Sequence, residues 1–361
     1  MPDWARRWQR VQFDNGWLLP GNPPEFGGRN ATLIQQAVHL EELSKRRIYH
    51  SFNPQGLGII AASILSFGTE EQKQQWAARI LRAEITAALG MSEPGAGSDL
   101  AGLRTRAVLD GDHFVVNGQK VWTSGAHHAD VLLTFVRTDP DAPKHKGISV
   151  LLIPTDTPGV VRRPFASIAD RDDRDFNEVF FEDVRVPAEN LIGELNKAGP
   201  LPTARSARAH SSVAQLRGSI GRSRRRFRAA HGHRSRPVRN AGDGLQALRL
   251  LGSAALARES RGEQDVASLS VLKLLGSEAI QRSVEHALDA EGAEARASCV
   301  DLCVHAVEPR QLRSELVRTL CPQFCRHHRG RYIGDPTEHR RPASARATTR
   351  LRSATCTFST R

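Results

Sequence analysis

The chain lacks the features that mark secreted or membrane-spanning proteins. No window approaches the roughly 18 to 20 apolar residues that a membrane span requires, and hydrophobic residues make up only 39% of the 361 positions. The N-terminal sequence, Met-Pro-Asp-Trp-Ala-Arg-Arg, is charged but leads into no apolar segment, so it does not predict a secretory signal peptide. These absences favour a soluble, cytoplasmic protein that is long enough for two or three packed domains.

Cysteine and acidic residues are each missing from long stretches. The first 298 residues contain no cysteine, and all five cysteines lie in the last 63 (Cys299, Cys303, Cys321, Cys325 and Cys356). Residues 199–242 contain 11 arginines but no lysine and no acidic residue, whereas the rest of the chain has 40 basic and 39 acidic residues. The formal net charge of +12 therefore arises in one segment, and we do not predict a nucleic-acid-binding protein from it.

Apolar spacing divides the first 198 residues into a helical part and a β part. Residues 30–89 have helical spacing, and Thr69-Glu70-Glu71-Gln72 is a capping box that predicts a helix start. From Thr105 the apolar period changes to two. Asp110-Gly111 and Asn117-Gly118 each predict a hairpin turn, because both pairs tolerate positive φ. Further strands are predicted at residues 131–136, 148–153 and 177–181.

The remaining chain has only one segment of regular spacing. Within residues 243–291, an amphipathic helix is marked by Leu272, Leu275, Ile280, Val284 and Leu288. We therefore predict an α+β multidomain protein with a helical domain (1–88) and a middle antiparallel, β-barrel-like domain (89–198). An Arg-rich segment (199–242), a helical segment (243–291) and a final segment without apolar period (292–361) follow.

Two short motifs have residues suited to ligand binding. In the first, Leu-Gly-Met-Ser-Glu-Pro-Gly-Ala-Gly-Ser-Asp at residues 89–99, Gly95 and Gly97 let backbone N–H groups approach a ligand, and Ser92 and Ser98 add hydroxyl donors. The second is Trp122-Thr123-Ser124-Gly125, where an indole can cover an aromatic ring system beside two hydroxyls. For each motif alone, a structural explanation is favoured over ligand binding: a plain loop for the first and a core tryptophan for the second.

Together, about thirty residues apart, the two motifs are far more specific. The stretch from Met91 to Ser124 closely resembles the flavin-binding stretch of the acyl-CoA dehydrogenase family, and residues 177–187 and 190–193 are similar to the end of that family's middle domain. The resemblance runs from about Trp4 to Lys197. It implies the family's helical and β domains, a shortened N-terminus, and a remnant of the C-terminal helical bundle at residues 243–291.

The resemblance also implies roles for individual residues, with FAD as the cofactor. Met91 and Ser92 would face the flavin pyrimidine, where N–H and O–H donors stabilise negative charge on the reduced ring. Trp122 would pack against the isoalloxazine, Thr123 would lend backbone contacts, and Ser124 would bond near flavin N5. Ser98 would contact the CoA part of the substrate.

The implied activity is FAD-dependent dehydrogenation of an acyl-CoA thioester to the trans-2-enoyl-CoA, with electron-transfer flavoprotein or a similar acceptor. An acyl-CoA oxidase on the same fold and a degenerate member without activity are alternatives. We predict no metal, because no regular framework surrounds the cysteines and the neighbouring His327 and His328. Nor do we predict a nucleic-acid or membrane partner. The family's homo-oligomers pack through the C-terminal domain, so no homo-oligomer is predicted for this chain.

The family's catalytic base is a glutamate of the C-terminal domain, and the chain has no match for it in frame. If residues 327–339 are translated one base later, the permitted residues include Thr-Ile-Glu-Ala-Gly-Thr-Ser-Glu-Ile-Gln-Arg-Asn-Ile, which resembles the family's C-terminal signature with its glutamate. Together with the Arg-rich segment and the clustered cysteines, this suggests frameshifts near Ala198, Gly242 and Gly292. On that hypothesis residues 199–242 and 292–361 are disordered or translated out of frame.

Overall fold

The structure, a computed structural model, describes residues 1–46, 48, 51–166, 174–198, 236–263 and 265–291. The α-helices before the sheet are α1 (Asp3–Asp14), α2 (Leu33–Lys45), α3 (Ala62–Phe67), α4 (Glu70–Gln72) and α5 (Arg79–Leu81). The π-helical segments Gly56–Ala61 and Lys73–Ala78 lead into α3 and α5. Short 3-10 turns lie at Pro24–Phe26, Leu100–Gly102, Ala126–His128 and Ala188–Asn190.

The predicted capping box is confirmed. The Thr69 hydroxyl accepts from the Gln72 amide at 3.2 Å, and the Gln72 side chain accepts from the Thr69 amide at 3.0 Å. Gln72 also donates through Nε2 to the carbonyls of Glu189 (2.6 Å) and Leu191 (2.9 Å). A single helix cap therefore also joins the N-terminal helices to the end of the β-domain.

A curled seven-stranded sheet forms the middle of the chain. Its strands are β1 (Ala87–Gly90), β2 (Arg106–Asp110), β3 (His113–Lys120), β4 (Val131–Arg137), β5 (Ile148–Pro154), β6 (Val160–Phe165) and β7 (Phe176–Pro187). The order is β1-β4-β2-β3-β7-β6, with β5 paired to β4. The strands predicted at residues 131–136, 148–153 and 177–181 are confirmed by β4, β5 and β7.

Two details differ from the sequence expectation. The sheet is mixed rather than wholly antiparallel, because β1 pairs in parallel with β4, and Arg106 of β2 pairs in parallel with Arg137 of β4. The helical prediction was also wrong for residues 87–89, which belong to β1 and pair with residues 131–133 of β4. Pairing with a buried strand overrides the helix propensity of Ala-Ala-Leu.

The Asn117-Gly118 pair is not a hairpin turn. Strand β3 continues through this pair, and its pairing register with β7 shifts between Val116 and Gly118. Gly118 has φ of 148°, and a Cβ there would lie 2.7 Å from the Thr105 Cα. The glycine thus serves a bulge and a close backbone approach, while the predicted turn at Asp110-Gly111 is confirmed between β2 and β3.

Strand β4 lies between two apolar clusters. One cluster joins the N-terminal helices to the sheet, and residues of β4 such as Val131 and Leu133 pack in it with Ile60. The other lies on the opposite side of the sheet and contains Leu132 and Val136. All five of these side chains are fully buried. Burial on both faces explains why β4 is a continuous apolar run.

Two further helices, α6 (Arg236–Glu259) and α7 (Val266–Glu291), pack against each other around buried Leu248, Ala255 and Leu272. The predicted helix around Leu272 is confirmed, although Leu275 is 39% exposed. Helix α6 begins seven residues before the boundary predicted at Asp243. Of the helices in the described ranges, none is long and apolar enough to cross a membrane.

Candidate functional site

The two sequence motifs meet in the structure. The first follows β1 and the second follows β3, and the Val121 amide donates to the Ser92 carbonyl at 2.9 Å. One residue earlier, the fully buried Lys120 ammonium donates to the Met91 carbonyl at 3.1 Å and to Glu93 Oε1 at 2.8 Å. A backbone bond and a buried ion pair thus hold the two motifs together.

Glu93 and Lys120 form a buried ion pair that is also hydrogen-bonded to main-chain groups. The Glu93 carboxylate also accepts from the amides of Arg104 (2.6 Å) and Thr105 (2.9 Å). Burial alone would raise the pKa of Glu93, but the Lys120 charge and these hydrogen bonds hold that pKa below its ordinary value. Burial lowers the pKa of Lys120 to about 8, and Glu93 opposes that shift. Both groups are therefore charged at neutral pH.

The turn after Glu93 leaves room for a ligand. Glu93 and Ala96 exchange two backbone hydrogen bonds, of 2.8 and 3.1 Å, across Pro94-Gly95. A Cβ added to Gly95 or Gly97 would meet nothing within 4 Å, and neither residue has a positive φ. The protein's own packing and backbone therefore do not require these glycines. Ser98 lies exposed just beyond the turn.

Trp122 has a strained backbone and an accessible ring. Its φ is 61°, a conformation that bulky residues rarely adopt and that costs on the order of 1–3 kcal/mol. The side chain is 58% exposed, and its ring makes edge contacts with Phe165 and Phe176, at centroid distances of 5.1 and 5.4 Å. A non-glycine residue held in this region directs attention to a ligand-binding role.

Thr123 lies behind this surface. It is fully buried, its amide donates to the Asn177 carbonyl at 3.2 Å, and its carbonyl accepts from Asn177 Nδ2 at 3.0 Å. Within the described part of the chain, its hydroxyl has no hydrogen-bond partner. Asn177 also donates to the Asp175 carbonyl at 3.0 Å. Sequence reasoning used Asn177 only as the start of the family-like strand and did not recognise it as a support of the site.

Ser92 and Ser124 present unused donors at the junction. Both are only half-buried. Among the described residues, neither their hydroxyls nor their amides have a hydrogen-bond partner, although the Ser92 carbonyl accepts from Val121. These donors are therefore accessible to a ligand. This donor set, beside an exposed indole, fits a planar aromatic ligand rich in hydrogen-bond acceptors, as the isoalloxazine of FAD is.

Comparison with known proteins identifies the family. Residues 2–84 match the model of the acyl-CoA dehydrogenase N-terminal domain, and residues 88–184 match that of the middle domain. The acyl-CoA dehydrogenase IpdE1 of Mycolicibacterium smegmatis is 33% identical over 291 aligned positions, and the match covers 73% of this chain and 72% of that protein. This chain belongs to the acyl-CoA dehydrogenase family. The family consists of flavoprotein oxidoreductases of fatty-acid and lipid metabolism that typically bind FAD.

Other relatives match a smaller share of a longer protein. The acyl-CoA dehydrogenase FadE26 of Mycobacterium tuberculosis is 41% identical over 192 residues, which are 52% of this chain and 47% of that protein. The chain thus spans about half the length of several curated relatives that it matches. A solved structure of the Tcur3481-Tcur3483 steroid ACAD superposes with a TM-score of 0.75 at 27% identity, covering 93% of this chain and 86% of that chain.

Three sequence predictions lie outside the described residues. The re-translated glutamate signature falls on residues 327–339, the cysteine and histidine set on residues 299–328, and most of the Arg-rich segment on residues 199–235. Within the ranges that the structure describes, no three His, Cys, Asp or Glu side chains are grouped to hold a metal ion.

Proposed function

We propose that this chain is an FAD-dependent acyl-CoA dehydrogenase, which takes a proton from Cα and a hydride from Cβ of an acyl-CoA thioester to give the trans-2-enoyl-CoA. The observation that carries the proposal is the junction of the two motifs. There the unused donors of Ser92 and Ser124 lie beside an exposed, left-handed Trp122. FAD, when bound, supplies the hydride acceptor, and an electron-transfer flavoprotein or similar acceptor would reoxidise it.

Each residue of the junction has a role in this proposal. Met91 and Ser92 bind the pyrimidine side of the flavin, where amide and hydroxyl donors favour negative charge. Ser124 donates near N5, and Trp122 covers the ring. Thr123 supports these contacts instead of making them, because Asn177 already uses its amide and its carbonyl.

The glycine turn and Ser98 are proposed to bind the CoA part of the substrate. Open space beside Gly95 and Gly97 admits a ligand close to the backbone. Near Ser98, Asp99 forms an exposed ion pair with Lys144. We propose that Ser98 donates its hydroxyl to a polar group of CoA at this surface.

The reaction needs a base for the α-proton, and we assign none to the described residues. The proposed base is the glutamate that appears when residues 327–339 are translated one base later. Reading the gene decides this point: the frames next to residues 199–242 and 292–361 should encode family-like helices. If they encode none, the frameshift hypothesis is wrong. A family member without catalytic activity then becomes the favoured alternative.

A direct test compares the chain as written with a version whose frame is restored. Both are titrated with FAD, and each is assayed for acyl-CoA-dependent dye reduction and for oxygen consumption. We expect weak flavin binding by the chain as written, and stoichiometric FAD with dye reduction by the restored version. Oxygen consumption without need of the dye would favour the oxidase. A restored version without flavin absorbance would contradict the proposed function.

The first substrate to assay is the CoA thioester of a steroid-bearing acid. The choice rests on the similarity to the steroid ACAD, which extends over 93% of this chain. Straight-chain acyl-CoA thioesters of matched concentration are the control. Equal or higher kcat/KM for a straight-chain substrate would count against a steroid substrate while leaving the proposed reaction intact.

A further inference from the structure

The Lys120 side chain acts on one particular peptide group of the candidate site. Its ammonium donates to the Met91 carbonyl at 3.1 Å. That carbonyl and the Ser92 N–H belong to the same peptide unit. Among the described residues, this N–H has no acceptor. The cation therefore lies on one side of a peptide whose other side is free to donate to a ligand.

A charged donor on a peptide carbonyl strengthens the donor on the opposite side. Hydrogen bonds polarise one another along a chain, and the effect is greater in a low-dielectric interior. A bond from an ionised donor is also roughly twice as strong as a neutral one. Lys120 is fully buried, so water does not screen its charge at the Met91 carbonyl.

For stability alone, a pair of apolar side chains could replace the Glu93–Lys120 ion pair. Burying two charges costs several kcal/mol per ion in general, and apolar replacements of similar volume are often neutral or stabilising. Here the carboxylate is fixed by the amides of Arg104 and Thr105. These two hydrogen bonds fix the orientation of the carboxylate, and with it the position of the ammonium that pairs with Glu93. The Glu93 charge in turn favours the charged form of Lys120.

We infer that Lys120 is a positioning residue that holds and polarises the Met91–Ser92 peptide, so that the Ser92 amide binds reduced flavin more tightly than oxidised flavin. The inference rests on the proposed function, because it requires flavin at this junction. Glu93 supports the same task by fixing the ammonium in place. Neither residue is required to touch the reacting atoms.

The test is a comparison of affinities for the two redox forms of FAD. Lys120→Met removes the cation but leaves Glu93 buried and unpaired, so it is paired with the double variant Glu93→Gln/Lys120→Met, which leaves no unpaired charge. Lys197→Met is the matched control, because Lys197 is an exposed lysine whose ion pair with Glu194 lies on the surface. The dissociation constants of oxidised FAD and, anaerobically, of reduced FAD are measured for each protein.

We expect the double variant to lose about three- to tenfold more affinity for reduced than for oxidised FAD. For a two-electron couple this ratio lowers the flavin midpoint potential by about 14–30 mV. The Lys197→Met control should leave the ratio unchanged. Equal loss of both affinities, or no loss, overturns the inference, since a purely structural role changes both alike. The variants are made in the frame-restored protein, and a frame-restored protein without these substitutions that binds neither form overturns the proposed function itself.

Discussion

Asn177 satisfies both backbone hydrogen-bonding groups of Thr123. Its main-chain carbonyl accepts from the Thr123 amide at 3.2 Å, and its side-chain Nδ2 donates to the Thr123 carbonyl at 3.0 Å. Thr123 directly follows the left-handed Trp122. The start of β7 thus holds the residue that follows the strained one, while the Val121–Ser92 bond holds the residue that precedes it. The backbone strain at Trp122 persists because it is fixed from both sides.

Asn177→Ala should lower the free energy of unfolding by about 2–4 kcal/mol, because it leaves the buried Thr123 carbonyl without its donor. It should also weaken FAD binding, since Trp122 is then free to leave its conformation. Urea denaturation and a flavin titration measure the two effects. Asn117→Ala is the control: Asn117 exchanges two exposed hydrogen bonds with Asp183, so its loss should cost about 1–2 kcal/mol and should leave FAD binding unchanged.

Ser92→Ala and Ser124→Ala should each weaken FAD binding about twofold to tenfold, the value of one hydrogen bond of ~0.5–1.5 kcal/mol. Unfolding should be almost unaffected, because the described residues offer these hydroxyls no partner. Ser98→Ala is the matched variant: it should leave FAD affinity intact and, in the frame-restored protein, raise KM for the acyl-CoA. Unchanged FAD affinity in both of the first two variants would move the flavin away from this junction.

Gly97→Ala and Gly118→Ala should behave in opposite ways. A Cβ on Gly97 meets no atom within 4 Å, so stability should change by less than about 1 kcal/mol, while CoA binding falls. A Cβ on Gly118 would lie 2.7 Å from the Thr105 Cα at a φ of 148°, and this variant should unfold at lower temperature. Calorimetry gives the stabilities. A destabilised Gly97→Ala protein would show that the glycine is structural.

The Glu93–Lys120 pair predicts a pH dependence of stability relative to the double variant Glu93→Gln/Lys120→Met. The pKa of Lys120 is about 8 in the folded chain, against an ordinary 10.5. The unfolded chain therefore holds more protons between these values, and wild type should gain relative stability as the pH rises from about 8 to 10.5.

On the acid side, too, relative stability rises with pH. The pKa of Glu93 is lowered from 4.5, so its contribution is present above that pH and is lost as the pH falls below it. Denaturant unfolding of both proteins from pH 3 to pH 11 measures the difference. A relative stability that stays level from pH 8 to about 10.5 and falls above it would show that Glu93 raises the pKa of Lys120 more than burial lowers it.

Local signals in the sequence predicted much of the fold, as the Thr69 capping box and the turn at Asp110-Gly111 show. They failed where a distant residue decides the conformation. Asn-Gly favours a turn in isolation, but Gly118 lies against Thr105 and β3 continues through it. The pairing of Glu93 with Lys120, 27 positions apart, depends on the register of the sheet and has no local signature.

The site shows the same division. Motif spacing indicated that residues near Met91 and Trp122 act together, and the structure places them in contact through Ser92 and Val121. Asn177 could not be recognised in advance, because it lies beside Thr123 only when β7 pairs with β3. Thr123 was expected to offer its backbone to a ligand, yet Asn177 occupies both of its backbone groups.

Gln72 has a consequence for cooperativity between the two halves of the molecule. Its side-chain oxygen closes the helix cap, while its nitrogen holds two carbonyls at the far end of the β-domain. Glutamate serves a capping box as well as glutamine does, but it has no N–H with which to reach those carbonyls. Gln72→Glu, although neutral for the helix cap, would therefore weaken the coupling between the helices and the sheet, which then depends on their shared apolar cluster.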